Sequence, residues 1–141
     1  MRAALILALV CLTGAYAADF SYCNDYPNAA EIYNITTVPE MPTPGEPLYV
    51  TVIGDAAMTV QDSNVLVNLT LDAKPLLNTE LSLCSVISCP VNQGPFDYTA
   101  RTPALPDFTP AGDYVLTLNF TSTATPATQL LCVTVPFSIE K

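Results

Sequence analysis

The chain has no histidine and no tryptophan, only four lysine and arginine residues, and five glycines in 141 positions. Without histidine there is no imidazole base, no Ser-His-Asp triad and no histidine metal ligand. Without tryptophan the Cys…Trp…Cys core of antibody-type domains is ruled out. The glycines are scattered, so no glycine-rich loop exists to cradle a phosphate. Thirteen carboxylates against four cations give a formal net charge of −9, which repels nucleic acid and gains nothing from anionic lipid headgroups. Those carboxylates fall singly at strand ends and turns, not as the acid and base pair of a glycosidase. The expectation is a protein that is not an enzyme and carries no cofactor and no metal.

Long apolar runs are also missing, except at the start. Met1-Arg2 is a short positive head, residues 3–12 are apolar, and Ala15-Tyr16-Ala17 is a small-x-small cleavage site, the pattern of a signal peptide over residues 1–17. Ten apolar residues are too few to cross a bilayer, which takes about 20. Removing 17 of 141 residues leaves 124, residues 18–141, enough for one domain with its own core. With Arg2 gone, three cations face thirteen carboxylates, a net charge of −10.

Hydrophobic residues make up 50 % of the chain, charged residues 12 %, and the mean hydropathy is +0.37. That excess of apolar side chains fits either a large filled core or an interior lining with room inside it. Cys11 leaves with the leader, and Cys23, Cys84, Cys89 and Cys132 remain. An even set in a secreted chain reads as two disulfides, for which three pairings exist. Cys84 and Cys89 enclose four residues, the size of a tight loop, so they are expected to pair locally and leave Cys23 to Cys132. A four-cysteine zinc site does not suit one close pair with two distant partners.

Thirteen prolines and the absence of a 3.6-residue apolar period argue against helices. Short runs rich in Val, Leu, Thr and Tyr recur between Pro, Gly, Asn and Asp, and predict seven strands at 31–38, 47–54, 64–72, 76–83, 96–102, 113–121 and 130–140. The fold expected is all-β, an immunoglobulin-like sandwich of about seven strands. Three glycosylation sequons, at Asn34, Asn68 and Asn119, each fall on the less apolar face of their strand. Alternation through them points Tyr33, Val67, Leu69, Tyr114, Leu116 and Leu118 inward. The same reasoning adds Leu77, Leu81, Phe96, Tyr98, Val133, Val135 and Phe137 to the interior lining.

The second half of the chain carries a resemblance. Cys84-Ser85-Val86-Ile87-Ser88-Cys89-Pro90 is followed by Gly94, Leu105-Pro106 and Pro110-Ala111-Gly112-Asp113-Tyr114, and Leu131-Cys132 with residues 133–139 closes it. Upstream, Cys23 and the run Pro42-Thr43-Pro44-Gly45-Glu46-Pro47-Leu48 fit the same order. The set resembles the ML lipid-recognition domain family. It is most similar to the phosphatidylglycerol/phosphatidylinositol transfer proteins and more distantly to the Niemann-Pick type C sterol carriers. The resemblance implies a lipid cavity between the sheets and the bridges Cys23–Cys132 and Cys84–Cys89. It also implies a carrier that binds a phospholipid or sterol and transfers it between membranes. Two departures from the sterol carriers weigh against a sterol: no third disulfide falls in the first loop, and the step after Leu105-Pro106 offers Asp107 and Phe108. Leu105 and Phe108 are the expected portal. Arg101 and Lys74, the only cations inside the mature chain, are candidates to meet a phosphate.

The partners expected are a lipid and, transiently, a membrane, with no nucleic acid and a monomeric state. The location expected is secreted or the lumen of a vacuole or lysosome. A secreted recognition or adhesion module that binds a protein is the alternative.

Overall fold

Alternating apolar and polar runs bounded by turn residues can bury one face each, and here they do so against one another. The computed structural model describes residues 16–24 and 28–140. It contains β1 (Tyr16–Ala17), β2 (Ser21–Tyr22), β3 (Ala30–Val38), β4 (Tyr49–Ala56), β5 (Ser63–Leu71), β6 (Lys74–Ser82), β7 (Gly94–Arg101), β8 (Gly112–Ser122) and β9 (Gln129–Ile139). One 3-10 turn, Leu83–Ser85, follows β6. All seven expected strands are present within two residues of their bounds. The two-residue β1 and β2 were not foreseen, because so short a pairing has no sequence period. Residues 1–15 of the expected leader lie outside the described residues, and its last two form β1, paired with Thr37 and Thr36.

Two antiparallel sheets result, one ordered β1-β3-β4-β7 and the other β2-β9-β8-β5-β6. In the five-stranded sheet the register aligns Val65 with Phe120, Val67 with Leu118, Leu69 with Leu116 and Leu71 with Tyr114. It continues those rows to Leu131, Val133, Val135 and Phe137. These rows form the inner face, and Asn68 and Asn119 fall on the outer one, as the alternation required. The closed core gathers at one side, where Ile32 and Ile35 of β3 meet Leu131 and Val133 of β9. Ala18 and Phe20, between β1 and β2, pack against that cluster. Cys23–Cys132 pins this side, and Cys84–Cys89 closes the loop after β6.

One end of the sandwich is sealed. Tyr114, 3 % exposed, stacks on Phe137 at 5.2 Å, and its hydroxyl donates to the Pro110 carbonyl at 2.7 Å. Ile139 is buried beside this end of the inner face. Two expected inward residues lie elsewhere. A β-bulge between Ile32 and Asn34 leaves Tyr33 without a partner on β4 and turns it outward, 57 % exposed. Leu77 keeps the inner register opposite Leu69, yet it is 48 % exposed. β6 is the outermost of five strands facing a sheet of four, so nothing covers it. Among the described residues no helix is long and apolar enough to cross a membrane.

Candidate functional site

At the end opposite Tyr114 the sheets do not close. A cavity of about 170 Å³ lies between them. The four-stranded sheet contributes Ile32, Val52, Ala56, Phe96 and Tyr98, and the five-stranded sheet Ser63, Phe120, Leu130 and Leu131. The loops Ala29, Val60, Leu83, Ile87 and Val91 and the rim residue Ala30 complete the wall. No charged side chain is among them. Ser63 is 1 % exposed, and its hydroxyl is held by the Thr121 and Asn64 carbonyls at 2.9 and 3.1 Å. The wall is therefore hydrocarbon in all but name, and polar groups would lose their water there without recompense.

Gly54 sets the position of Phe96. The two are cross-strand partners, and a Cβ on Gly54 would stand 2.7 Å from the ring. Only the missing side chain lets the ring approach β4 this closely while it stacks on Tyr98 at 5.7 Å.

The mouth is built by two tied loops. Val60 and Val91 exchange backbone hydrogen bonds at 2.8 and 2.9 Å, and the Gln93 amide donates to Thr59 Oγ1 at 3.1 Å. Asp62 fixes the disulfide loop: its carboxylate accepts from the Ser63 amide at 2.7 Å, from Ser82 Oγ at 3.0 Å and from the Cys84 amide at 3.4 Å. The Ser63 amide first, then Ser82, hold the Asp62 pKa below its ordinary 3.8, with partial desolvation opposing them. Asp62, Cys84 and Cys89 cluster closely, but both sulfurs are spent in the disulfide and cannot ligate a metal. Met58 and Val86, 50 % and 51 % exposed, present apolar tips on these loops.

A second concavity of about 420 Å³ lies on the outer face of the four-stranded sheet. Tyr22, Asn28, Glu31, Tyr33 and Asp55 line it, with Ala57 and the rim residue Ala30. The Tyr22 hydroxyl accepts from the Ile32 amide at 2.8 Å, which fixes its ring. Partial desolvation, then Asp55 and Glu31, push the Tyr33 phenol above its ordinary 10.0.

Of the interior residues expected from sequence, Phe96 and Tyr98 line the cavity. Val67, Leu69, Leu81, Leu116, Leu118, Val135 and Phe137 are half-buried along the inner face beyond it, and Tyr114 and Val133 are buried core. The two residues expected as a portal, Leu105 and Phe108, lie away from this cavity. Leu105 accepts from the Gly45 amide at 2.7 Å, and Phe108 is 86 % exposed, in the loop between β7 and β8 that leads to the sealed end. Lys74 and Arg101 are at that end too, Arg101 lying 6.0 Å over the Tyr49 ring. The residues missed, such as Val60, Ile87 and Val91, sit in loops that strand alternation does not score. Val86-Ile87 inside a four-residue disulfide loop was the available signal, since loop tips are normally polar.

Two antiparallel sheets enclosing an apolar chamber that opens at one end make this a small β-sandwich with an accessible apolar interior. The ML domain matches residues 17–139, and the chain belongs to that family of lipid-recognition domains. A Dictyostelium discoideum protein provisionally named phosphatidylglycerol/phosphatidylinositol transfer protein 1 is 23 % identical over 138 residues, covering 96 % of this chain and 90 % of that protein. A second protein of that organism, provisionally given the same kind of name, is 26 % identical over 140 residues, covering 96 % of each. The fold is similar to a Niemann-Pick type C2 protein from the Japanese carpenter ant, with a TM-score of 0.65 and 14 % identity over 86 % of this chain and 99 % of that one. It is also similar to chicken MD-1 complexed with lipid IVa, with a TM-score of 0.53 and 14 % identity over 87 % and 99 %.

Proposed function

We propose that the protein is a monomeric lipid carrier that takes a lipid tail-first into the cavity between its sheets, carries it between membranes and performs no covalent chemistry. The observation that carries this reading is the chamber wall, which offers hydrocarbon and no charged side chain. At about 0.8 kcal/mol per buried methylene, a tail gains enough to hold the sheets apart. A volume of about 170 Å³ is near that of an engineered cavity that binds benzene. It is below the roughly 300–1,000 Å³ of sites that hold a whole ligand. The chamber thus receives the end of a chain, and the sheets part further as more of it enters. Met58 and Val86 touch the membrane transiently during exchange. The relatives' names support a phospholipid.

Two disulfides fit an oxidising setting, outside the cell or in a vacuolar or lysosomal lumen. The leader over residues 1–17 would deliver the chain there, with glycans on the outward-facing Asn34, Asn68 and Asn119. Native mass spectrometry of the secreted protein tests the reading: a co-purifying lipid is expected. A chain that is empty and transfers no lipid between vesicles overturns it. The exposed Val38, Tyr49 and Ile53 on the outer face of the four-stranded sheet favour, as a second reading, a module that binds a protein. That reading requires a partner captured without lipid.

A further inference from the structure

No charged side chain lines the chamber, so a lipid held there by its tail leaves its headgroup at the rim. Ala30 belongs to that rim and also to the outer depression of about 420 Å³. The two concavities adjoin, one without charge and the other carrying all its charge as carboxylate.

Glu31 and Asp55 are direct cross-strand partners, and like charges so placed cost stability. The nearest cation along this sheet, Arg101, is paired with Tyr49 six residues further down β7 from Pro95, the partner of Asp55, about 20 Å away at the rise of a strand. Lys74 begins β6 on the other sheet. Two rings complete the depression. Tyr22 is fixed by its hydrogen bond to Ile32, and Tyr33, unpaired on β4 at the bulge, faces outward with Glu31. Bulges commonly re-aim a side chain beside a site. Aromatic faces beside carboxylates are the chemistry that holds a quaternary or primary ammonium.

The geometry points to this depression as a headgroup subsite for an ammonium group, borne by a lipid whose tail passes over Ala30 into the chamber. This rests on the carrier reading and sharpens it. Choline and ethanolamine headgroups find both countercharge and two tyrosine rings in the lining here. An anionic glycerol or inositol phosphate meets two carboxylates and no cation in the lining of the depression. The preference is opposite to the headgroups in the relatives' names.

The test is equilibrium binding of lysophosphatidylcholine and lysophosphatidylglycerol with the same palmitoyl chain to the full secreted protein, below their micelle concentrations. The choline lipid is expected to bind about fivefold more tightly, the scale of an exposed cation–π contact with one ion pair. Glu31→Gln with Asp55→Asn, and separately Tyr33→Ala, should abolish the difference, and Tyr33→Phe should keep it. The double carboxylate variant should also melt higher when lipid-free, because it removes a repulsion, which shows that the variant is folded. Equal affinities, or a tighter glycerol lipid, overturn the subsite and leave the carrier intact. No binding of either lipid overturns the carrier reading itself. Tetramethylammonium must bind far more weakly than the choline lipid, and equal affinity would assign the depression to a free ammonium ion. Loss of the preference in a chelator would assign the carboxylates to a metal and also overturn it.

Discussion

Gly54 and Phe96 face each other across the β4–β7 ladder so closely that a single methyl on the glycine would stand 2.7 Å from the ring. The same methyl would press on the Glu31 carbonyl of β3. Gly54→Ala is therefore expected to cost about 2 kcal/mol or more, since neither backbone nor packed ring can yield cheaply. Urea denaturation measures it, and lipid binding should fall with it because Phe96 forms the chamber wall. A neutral substitution would show that the ring moves freely.

The chamber itself can be tested by filling it. Val52 lines it from β4, and Val52→Phe places extra carbons in empty space. The variant should stay folded and lose most of its lipid uptake. Val135→Phe, on the inner face but outside the chamber wall, should instead overpack and cost roughly 1–3 kcal/mol. The reverse pattern would relocate the site.

The two disulfides should differ in what they do. Cys23–Cys132 spans 109 residues and Cys84–Cys89 spans 5. By the loop-entropy model the first contributes about 4–5 kcal/mol and the second about 2. Replacing Cys132 should damage stability more. Replacing Cys89 should act chiefly on lipid exchange, because its loop carries Val86 and Ile87 at the mouth. Thermal denaturation beside a vesicle-transfer assay separates the two effects.

Asp62 predicts where acid acts on the mouth. Its folded pKa is lowered, so its contribution is fully present above the ordinary value of 3.8 and is lost as pH falls through the lower folded value. The disulfide loop should hold its place at pH 5 and loosen only well below pH 4. Asp62→Asn should be less stable than the parent above about pH 4 and converge with it in stronger acid. Urea midpoints across that range decide it, and convergence already at pH 6 would remove Asp62 from the tether.

Cleavage after Ala17 would remove β1 and leave Ala18, whose amide nitrogen donates to the Ile35 carbonyl at 2.7 Å. The mature protein is expected to begin at Ala18 and to keep Phe20 packed on the core. Intact mass and amino-terminal sequencing of secreted material check this.

The seven long strands could be read from the sequence because each carries its own period-two pattern and its own turn residues. The outward placement of Asn68 and Asn119 followed from the same alternation, and the disulfide pairing from the short spacing of Cys84 and Cys89. Tyr33 and Leu77 broke the rule for two separate reasons. A bulge adds one residue and reverses the face of the next, and nothing in Ile32-Tyr33-Asn34 announces it. Leu77 obeys its alternation, but exposure depends on how many strands the opposite sheet supplies.

Composition and pattern alone thus determined the class of the protein: antiparallel sheets, an acidic balance and two disulfide staples. These are properties of residue types and their local spacing. Which end of the sandwich opens was decided only in three dimensions. Tyr114, Phe137 and Ile139 fill one end, while the small side chains of Ala29, Ala30 and Ala56 leave the other short of volume. A cavity is a difference between the space that two sheets enclose and the side chains that reach it from separate strands. No single strand's sequence contains that difference, so the place of Ile87 in the chamber wall was not legible in it.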